Sequence, residues 1–154
     1  MNIFILDKDP VTSARMACDT HASKMVLETA QLLCATHSHF GYPAPYKPTH
    51  RNHTCTVWVR ASRANYLWLW RFGCAQSDEF EFRRGKRHKS SAVIKALHTP
   101  PPEITGDELT PFAQCMPDEY RGPDPVEAYR RFYKADKASF ATWNWGRQAP
   151  EWWR

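Results

Sequence analysis

Apolar positions recur at helical spacing along most of this chain, and prolines and glycines interrupt the pattern. Residues 11–40 contain neither proline nor glycine, and Gly41 follows them as a stop signal. The steps of three and four residues between apolar side chains predict two helices. Asp9 caps the first, short helix and Pro10 begins it, and the second, long helix covers Thr20–His39.

The segments on either side of these helices are predicted from the same pattern. Met1–Asp7 is apolar and has no obvious partner strand, so we expect an extended start. The proline-rich residues 42–52 form a loop. Thr54–Arg84 is a second long helical stretch, in which Gly73 marks a candidate break, because glycine costs about 1 kcal/mol relative to alanine inside a helix.

Two shorter helices and a tail complete the pattern. Ser90–His98 is helical up to the prolines at 100–102. Asp124 supplies a cap and Pro125 an N1 proline for a helix that runs to about Phe140. The last twelve residues then carry four of the seven tryptophans. The pattern therefore predicts an all-α fold with long loops and an aromatic C-terminal tail.

The composition is typical of a single compact helical bundle that spans residues 1–154. The chain has 154 residues, of which 42% are hydrophobic and 24% charged, enough to bury one core. Its apolar runs are too short for a membrane span, so we expect a soluble, cytoplasmic protein. We also expect a monomer. The five cysteines are an odd number without a CxxC pair, and we expect reduced thiols.

Positive charge is concentrated in the middle third. The net charge is +5, whereas residues 51–99 alone contain ten Lys or Arg and three acidic residues. The run from Arg83 to Lys89 holds five positive charges in seven residues. Such a patch binds nucleic-acid phosphates without regard to sequence; the alternative is a solvated charged turn. The tail tryptophans either stack on bases or close the core.

One acidic residue is a candidate for catalysis. His21, Lys24, Glu28 and Gln31 form a stripe at steps of three, four and three residues on the long helix. A carboxylate at the edge of an apolar stripe can have its pKa tuned for proton transfer. The alternative is a surface ion pair between Lys24 and Glu28. His50, His53 and Cys55 match no closed zinc motif, so we expect no metal.

Four motifs in the same order resemble the phage-type pyrimidine-dimer DNA glycosylases, the endonuclease V-type ultraviolet repair enzymes. Asp19-Thr20-His21 with Glu28 resembles the family's D-x-H…E arrangement, and Asn52-His53 is similar to an N-H motif of bacterial relatives. Residues 116–122 (MPDEYRG) resemble a P-x-E-[FY]-R-G segment, and residues 142–146 (TWNWG) resemble the aromatic C-terminal segment.

The resemblance implies a compact all-α DNA-binding fold and a specific reaction. In that family the N-terminal α-amine attacks the sugar carbon that bears the damaged base, a glutamate assists, and β-elimination cuts the strand. Glu28 matches the glutamate. The family exposes its amine by removing methionine before a small residue. Here Asn2 follows Met1, so methionine is expected to stay, and its amine becomes the candidate nucleophile.

Three functional hypotheses follow. The first is a DNA glycosylase with AP-lyase activity on damaged pyrimidines in duplex DNA. The second is an enzyme on the same scaffold that acts on another nucleobase, nucleotide or modified base without an N-terminal nucleophile. The third is a DNA-binding module without catalysis. No cofactor is expected under any of them, and the partner is double-stranded DNA, or a nucleotide under the second.

The predicted site residues fall into three groups. The catalytic group is Met1, His21, Lys24 and Glu28. The substrate pocket adds Asn2, Gln31, Asn52 and His53. The DNA-binding group is Arg60, Arg63, Arg83, Arg84, Lys86, Arg87, Lys89, Arg121, Trp143 and Trp145.

Overall fold

The computed structural model describes all residues 1–154, with six α-helices, two 3-10 turns and no strand. The helices are α1 (Pro10–Met16), α2 (Asp19–His39), α3 (Thr54–Ala61), α4 (Arg63–Arg84), α5 (Ser91–Ala96) and α6 (Pro125–Lys137). The 3-10 turns cover Asp118–Tyr120 and Glu151–Trp153. The prediction of an all-α fold is confirmed.

Helix α4 is the centre of the packing. Helices α1, α2, α3 and α5 all contact it, and α2 also contacts α3 and α5. Tyr66, Leu69 and Phe72 of α4 are buried in the core, where Val26 and Leu33 of α2 join them. Helix α6 packs against both 3-10 turns. The core therefore lies around α2 and α4, and α6 and the chain start contribute further buried side chains to it.

Two predicted helix starts are confirmed by their cap bonds. The Asp9 carboxylate accepts from the N–H of Thr12 at 2.8 Å, and Pro10 begins α1. The Asp124 carboxylate accepts from the N–H of Val126 at 2.9 Å at the start of α6. Each acid satisfies a backbone donor that has no partner within its helix.

Three predicted helices differ from the structure in their bounds. Helix α5 covers Ser91–Ala96 rather than Ser90–His98. Helix α2 begins at Asp19, one residue before the predicted start at Thr20, and Cys18 is its N-cap. The Asp19 carboxylate is buried and pairs with Arg83 at 3.1 Å, so it does not cap the helix. Helix α6 ends at Lys137 rather than near Phe140, because the chain turns there and the Phe140 N–H donates to the Lys137 carbonyl at 3.1 Å.

The long stretch Thr54–Arg84 breaks at Ser62, and the predicted break at Gly73 is wrong. Ser62 has extended backbone (φ −153, ψ 157) and separates α3 from α4. Its Oγ accepts from the Asn65 N–H at 3.0 Å and donates to the Glu108 carbonyl at 2.8 Å. The serine therefore caps the new helix and ties it to a distant loop.

Gly73 is needed for helix packing. A Cβ at this position would lie 2.7 Å from Cγ2 of Thr29 on α2 and 3.0 Å from Cγ2 of Ile94 on α5. Thr29 cannot turn away freely, since its hydroxyl donates to the Gln76 side chain at 2.6 Å. The glycine thus lets three helices approach each other closely.

We expect Gly73→Ala to destabilise the protein by about 1–3 kcal/mol, because overpacking outweighs the gain in helix propensity. Urea denaturation measures the change. Thr29→Ser removes the obstructing methyl but keeps the hydroxyl, so the same alanine should cost less in that background. An equal cost in both backgrounds would contradict the steric explanation.

The first seven residues form neither helix nor strand, and the predicted extended start is interrupted at Phe4, whose φ is +54. Ile3, Ile5 and Leu6 are buried at 1% exposure or less, and the Leu6 N–H donates to the Ser13 hydroxyl at 2.9 Å. The hydrophobic effect on these side chains draws the start of the chain into the fold. It thereby fixes where Asn2 lies.

Candidate functional site

Asn2 is held by its side chain and presents its backbone nitrogen to α2. Its Nδ2 donates to the Cys115 carbonyl at 2.7 Å. Its Oδ1 accepts from the Tyr129 hydroxyl at 2.8 Å and from the Ile3 N–H at 2.8 Å. The backbone N–H of Asn2 donates to Oε2 of Glu28 at 3.0 Å. These bonds place the chain start against a carboxylate.

Glu28 lies in the middle of α2 with its side chain 15% exposed. Its Oε1 is 3.8 Å from Nζ of Lys24, whose side chain is 66% exposed. Exposed ion pairs of this kind contribute about 0–1 kcal/mol to stability. The predicted surface pair therefore exists, but the closest partner of the carboxylate is the Asn2 nitrogen.

His21 is buried and neutral. Its ring stacks on Phe4 with centroids 4.6 Å apart, and its Nδ1 lies 2.8 Å from the Tyr133 hydroxyl. Burial lowers the pKa of His21 to about 4, and the positive charges of Lys137 and Lys24 act in the same direction. At neutral pH the imidazole is therefore a hydrogen-bonding group without charge.

Aromatic rings form one wall of the site. Phe4 has φ +54, a left-handed conformation that is costly for an aromatic residue and is typical of functional sites. Its ring is nearly parallel to Phe132 at 6.3 Å. Nζ of Lys137 lies 5.2 Å from the Phe4 ring and 5.0 Å from the Phe132 ring, within reach of a cation–π interaction.

These groups surround a cavity of about 470 Å³. Volumes of roughly 300–1,000 Å³ are typical of small-molecule sites. The lining residues come from the chain start, α2 and the end of α6, and they are Met1, Asn2, Phe4, Thr20, His21, Lys24, Glu28, Phe132, Lys137 and Phe140. A half-buried carboxylate, two lysines and several aromatic faces therefore converge on one space.

Five of the eight residues predicted for the catalytic group and the pocket line this cavity. These are Met1, Asn2, His21, Lys24 and Glu28. Gln31, Asn52 and His53 lie outside the lining. His53 instead caps α3, where its Nδ1 accepts from the Cys55 N–H at 3.2 Å. Burial lowers the pKa of its imidazole, and the positive charge of the nearby N-terminal amine lowers it further.

Five further residues of the lining were not predicted. Thr20 precedes Lys24 and Glu28 by four and eight residues, so helical spacing alone could have identified it. Phe132, Lys137 and Phe140 lie more than 100 positions from Glu28 in the sequence, and no local pattern connects the two regions. Phe4 belongs to the apolar start, whose backbone path the pattern did not define.

Arg83 is not part of the exposed basic surface, and its prediction as a DNA-binding residue is wrong. Its side chain is 0% exposed. Nε donates to Glu79 at 2.8 Å, one terminal nitrogen donates to Asp19 at 3.1 Å and to the Ala17 carbonyl at 2.9 Å, and the other donates to the Arg15 carbonyl at 3.0 Å. The guanidinium therefore joins α1, α2 and α4 inside the protein.

Three other predicted arginines are partly engaged at the surface. Arg60 donates to the Arg51 carbonyl at 2.5 Å. Arg63 pairs with Asp107 at 2.8 Å, and Arg121 pairs with Asp118 at 3.0 Å. The exposed pairs of Arg63 and Arg121 are weak and exchange readily, so these two guanidinium groups remain accessible to phosphates.

The basic loop that follows α4 and the C-terminal tail both lie beside the N-terminal end of α2. Lys86, Arg87 and Lys89 are exposed. The loop contacts α2 through His88, which lies against the backbone of Ser23. The tail reaches it because the Asp19 N–H donates to the carbonyl of residue 142 at 2.9 Å. Positive charge therefore lies near the end of α2 that carries Thr20 and Lys24.

The two predicted tail tryptophans differ in role. Trp143 donates to the Met16 carbonyl at 3.1 Å and packs against Trp153, which favours core closure. Trp145 is 38% exposed, and the Arg84 guanidinium lies 4.4 Å from its ring centre. Trp145 and Arg84 thus form an exposed pair next to the basic loop.

A second cavity of about 540 Å³ lies between α1 and α4. Its buried carboxylate, Glu79, is already bound by Arg83 and by Arg147, whose Nε donates to it at 2.8 Å. Burial raises the pKa of Glu79, but the hydrogen bonds from the two arginines outweigh it and keep that pKa below its usual value. Glu79 is therefore not free to act as an acid or base in this cavity.

No protein-family model matches this chain, and no curated protein or solved structure matches it. None of its helices combines the length and the apolar character needed to cross a membrane.

We expect acid to destabilise the protein partly through His21. Folding lowers the pKa of this residue from 6.5 to about 4, so between these pH values the unfolded chain binds more protons than the folded one. The free energy of unfolding therefore falls as the pH drops through this window, by roughly 3 kcal/mol for the full shift.

His21→Gln should lose less stability than the wild type between about pH 7 and about pH 4.5 in denaturant titrations. His98→Gln, at an exposed position, is the control, and equal acid sensitivity of wild type and His21→Gln would contradict the assignment.

Proposed function

We propose that the protein is a DNA glycosylase with AP-lyase activity on damaged pyrimidines in duplex DNA. The α-amine at the chain start is the nucleophile, and Glu28 is the acid/base. The observation that carries the proposal is the 3.0 Å hydrogen bond between the Asn2 backbone nitrogen and the Glu28 carboxylate, at the wall of a 470 Å³ cavity. It brings the first residues of the chain to the acid.

Two nitrogens are candidates for the amine. The α-amine of Met1 lies one residue before the Asn2 nitrogen, a separation of at most about 3.6 Å. If methionine is removed from the mature protein, the Asn2 nitrogen itself becomes the free amine at 3.0 Å from Glu28. In both forms the Asn2 side chain is anchored to Cys115 and Tyr129, which limits the freedom of the nucleophile.

The reaction requires a neutral amine and a carboxylate that accepts and donates protons. The amine forms a bond to C1′ of the deoxyribose, and the glycosidic bond breaks with its electron pair leaving on the base, which takes up a proton. Ring opening gives an imine between the sugar and the protein. Loss of a proton from C2′ then expels the 3′ phosphate. Glu28 is placed to receive and return these protons and to stabilise the cationic imine.

The cavity suits a nucleotide turned out of the duplex. Phe4, Phe132 and Phe140 offer apolar faces for a base, and Lys24 and Lys137 supply positive charge for the adjacent phosphates. The exposed basic loop beside α2 adds contacts that do not depend on sequence. A damaged pyrimidine is extruded more easily than an intact one, because its pairing and stacking are weaker.

Borohydride trapping tests the proposal. Ultraviolet-irradiated duplex, incubated with the protein and borohydride, should give a covalent complex, and mass spectrometry of its peptides should locate the sugar on the N-terminal residue. Intact mass of the untreated protein identifies that residue as Met1 or Asn2. Undamaged duplex is the control. Folded protein that gives neither adduct nor cleavage would contradict the proposal.

A second candidate function is favoured by one detail of the same geometry. The nitrogen that contacts Glu28 is an amide when Met1 is present, and an amide nitrogen is not a nucleophile. Glu28, His21 and Lys24 would then activate water for another nucleobase or nucleotide substrate. An uncleavable extension ahead of Met1 separates the two functions. It should abolish imine trapping under the first and leave activity intact under the second.

A further inference from the structure

Two sulfur ligands and one nitrogen ligand for a metal meet beneath the chain start, outside the cavity described above. They are His53, Cys55 and Cys115, and their ligand atoms all lie within 4.8 Å of one another. The two Sγ atoms are 3.1 Å apart. His53 and Cys55 come from the start of α3, whereas Cys115 lies about 60 positions later, so only the fold brings them together.

We propose that His53, Cys55 and Cys115 form a binding site for Zn²⁺ or a similar divalent transition-metal ion. The fourth coordination position is open to water. Two thiolates and one imidazole favour zinc over magnesium or calcium, which prefer oxygen ligands. Three protein ligands with one open position is a common zinc arrangement.

The distances suit a tetrahedral ion. Metal–sulfur bonds of about 2.3 Å place two thiolates about 3.8 Å apart in a tetrahedron. The two Sγ atoms, at 3.1 Å, therefore need to separate by less than about 1 Å. Cys115 is half-buried, so its side chain has room for this movement, and Cys55 is held by the core.

His53 is already in a suitable tautomer. Its Nδ1 accepts from the Cys55 N–H at 3.2 Å, so the ring carries its lone pair on the side of Cys55 and its proton on Nε2. This bond is long for an N–H···N contact, and a metal at Nδ1 would replace it.

The site would strengthen the floor of the proposed active site without taking part in its chemistry. The Cys115 carbonyl accepts from Nδ2 of Asn2 at 2.7 Å. A metal that joins Cys115 to the start of α3 would therefore restrain the segment on which Asn2 is anchored. Metal removal should lower the melting temperature, whether or not the protein acts on DNA.

Cobalt titration of the full chain, kept reduced by a phosphine, tests the proposal. We expect one Co²⁺ per chain, with thiolate charge-transfer bands and the intense visible bands of tetrahedral cobalt, and displacement by Zn²⁺. Cys115→Ser and His53→Asn should each weaken binding by at least about 100-fold. Asparagine preserves the helix cap at position 53.

Matched controls separate ligand loss from general damage. Cys74→Ser changes a half-buried thiol elsewhere, and His50→Asn changes a histidine of the same loop, so both should bind cobalt like the wild type. Cys115→Ser is the preferred thiol variant, because Cys115 is only half-buried whereas Cys55 is buried in the core. Reduced wild type that binds no cobalt, or a thiolate spectrum that survives Cys115→Ser, would overturn the proposal. These readouts do not use DNA, so the metal site and the proposed activity can fail independently.

Discussion

Glu28→Gln should abolish imine trapping and reduce strand cleavage by at least about 100-fold, the usual contribution of a positioned acid/base. Glutamine has nearly the same shape, and its carbonyl oxygen can still accept from the Asn2 N–H, which is 3.0 Å from the carboxylate in the wild type. It cannot, however, exchange a proton or stabilise a cationic imine. Single-turnover cleavage of ultraviolet-irradiated duplex, with and without borohydride, measures both losses.

The control for this experiment is Glu81→Gln. Glu81 is an exposed acid on α4, so its change alters the net charge equally but leaves the cavity intact. Melting temperatures of both variants should stay close to that of the wild type, and DNA affinity should be unchanged or slightly higher, because a negative charge is lost. Cleavage by Glu28→Gln within about tenfold of the wild type would remove this carboxylate from the mechanism.

Local sequence signals predicted the helices well where the determining residues are neighbours. Asp9 with Pro10, and Asp124 with Pro125, act within one helical turn, and their cap bonds are present. Both carboxylates satisfy free N–H groups whatever the rest of the chain does. Helix starts of this kind can therefore be predicted from the cap residue and the first turn alone.

The break at Ser62 and the role of Gly73 could not be predicted this way. Ser62 interrupts the helix while its hydroxyl bonds to Glu108, and Gly73 is required by Thr29 and Ile94. These partners lie 21 to 46 positions away in the sequence. Propensity places the break at a glycine, whereas tertiary contacts place it at a serine.

The candidate site was predictable to the extent that it lies on one helix. His21, Lys24 and Glu28 share a stripe of α2, and helical spacing brings them to one cavity wall. The opposite wall comes from Phe132 and Lys137 on α6, and no periodicity relates α6 to α2. Sequence patterns thus identified the acid but not the aromatic surface that faces it.

Arg83 shows the same limit for charge. The sequence places it within a basic run that looks uniformly solvated, yet the preceding turn of α4 carries Glu79, and the fold adds Asp19. Both carboxylates are at most 4% exposed, so each needs a buried cation. Whether a residue of the run faces water therefore depends on acids elsewhere in the structure.

Arg83→Met should be the most destabilising substitution considered, at about 3–5 kcal/mol, because removing one member of a buried charge network leaves the others uncompensated. Glu79 would keep Arg147, whose Nε lies 2.8 Å away. Asp19 would keep the Asn144 N–H at 2.6 Å but would lose its ion pair. The carbonyls of Arg15 and Ala17 would also lose their donors. Guanidinium denaturation at neutral pH measures the change.

Arg84→Met is the matched control, since it removes the same charge one residue later. Arg84 is exposed and loses only its contact with the Trp145 ring, which is worth about 0.5–1 kcal/mol. The two variants should therefore separate two roles of one basic run. Arg84→Met should weaken DNA binding and reduce its salt dependence by about one phosphate contact, with little change in stability. Equal stability of the two variants would show that the buried network contributes little to the stability of the fold.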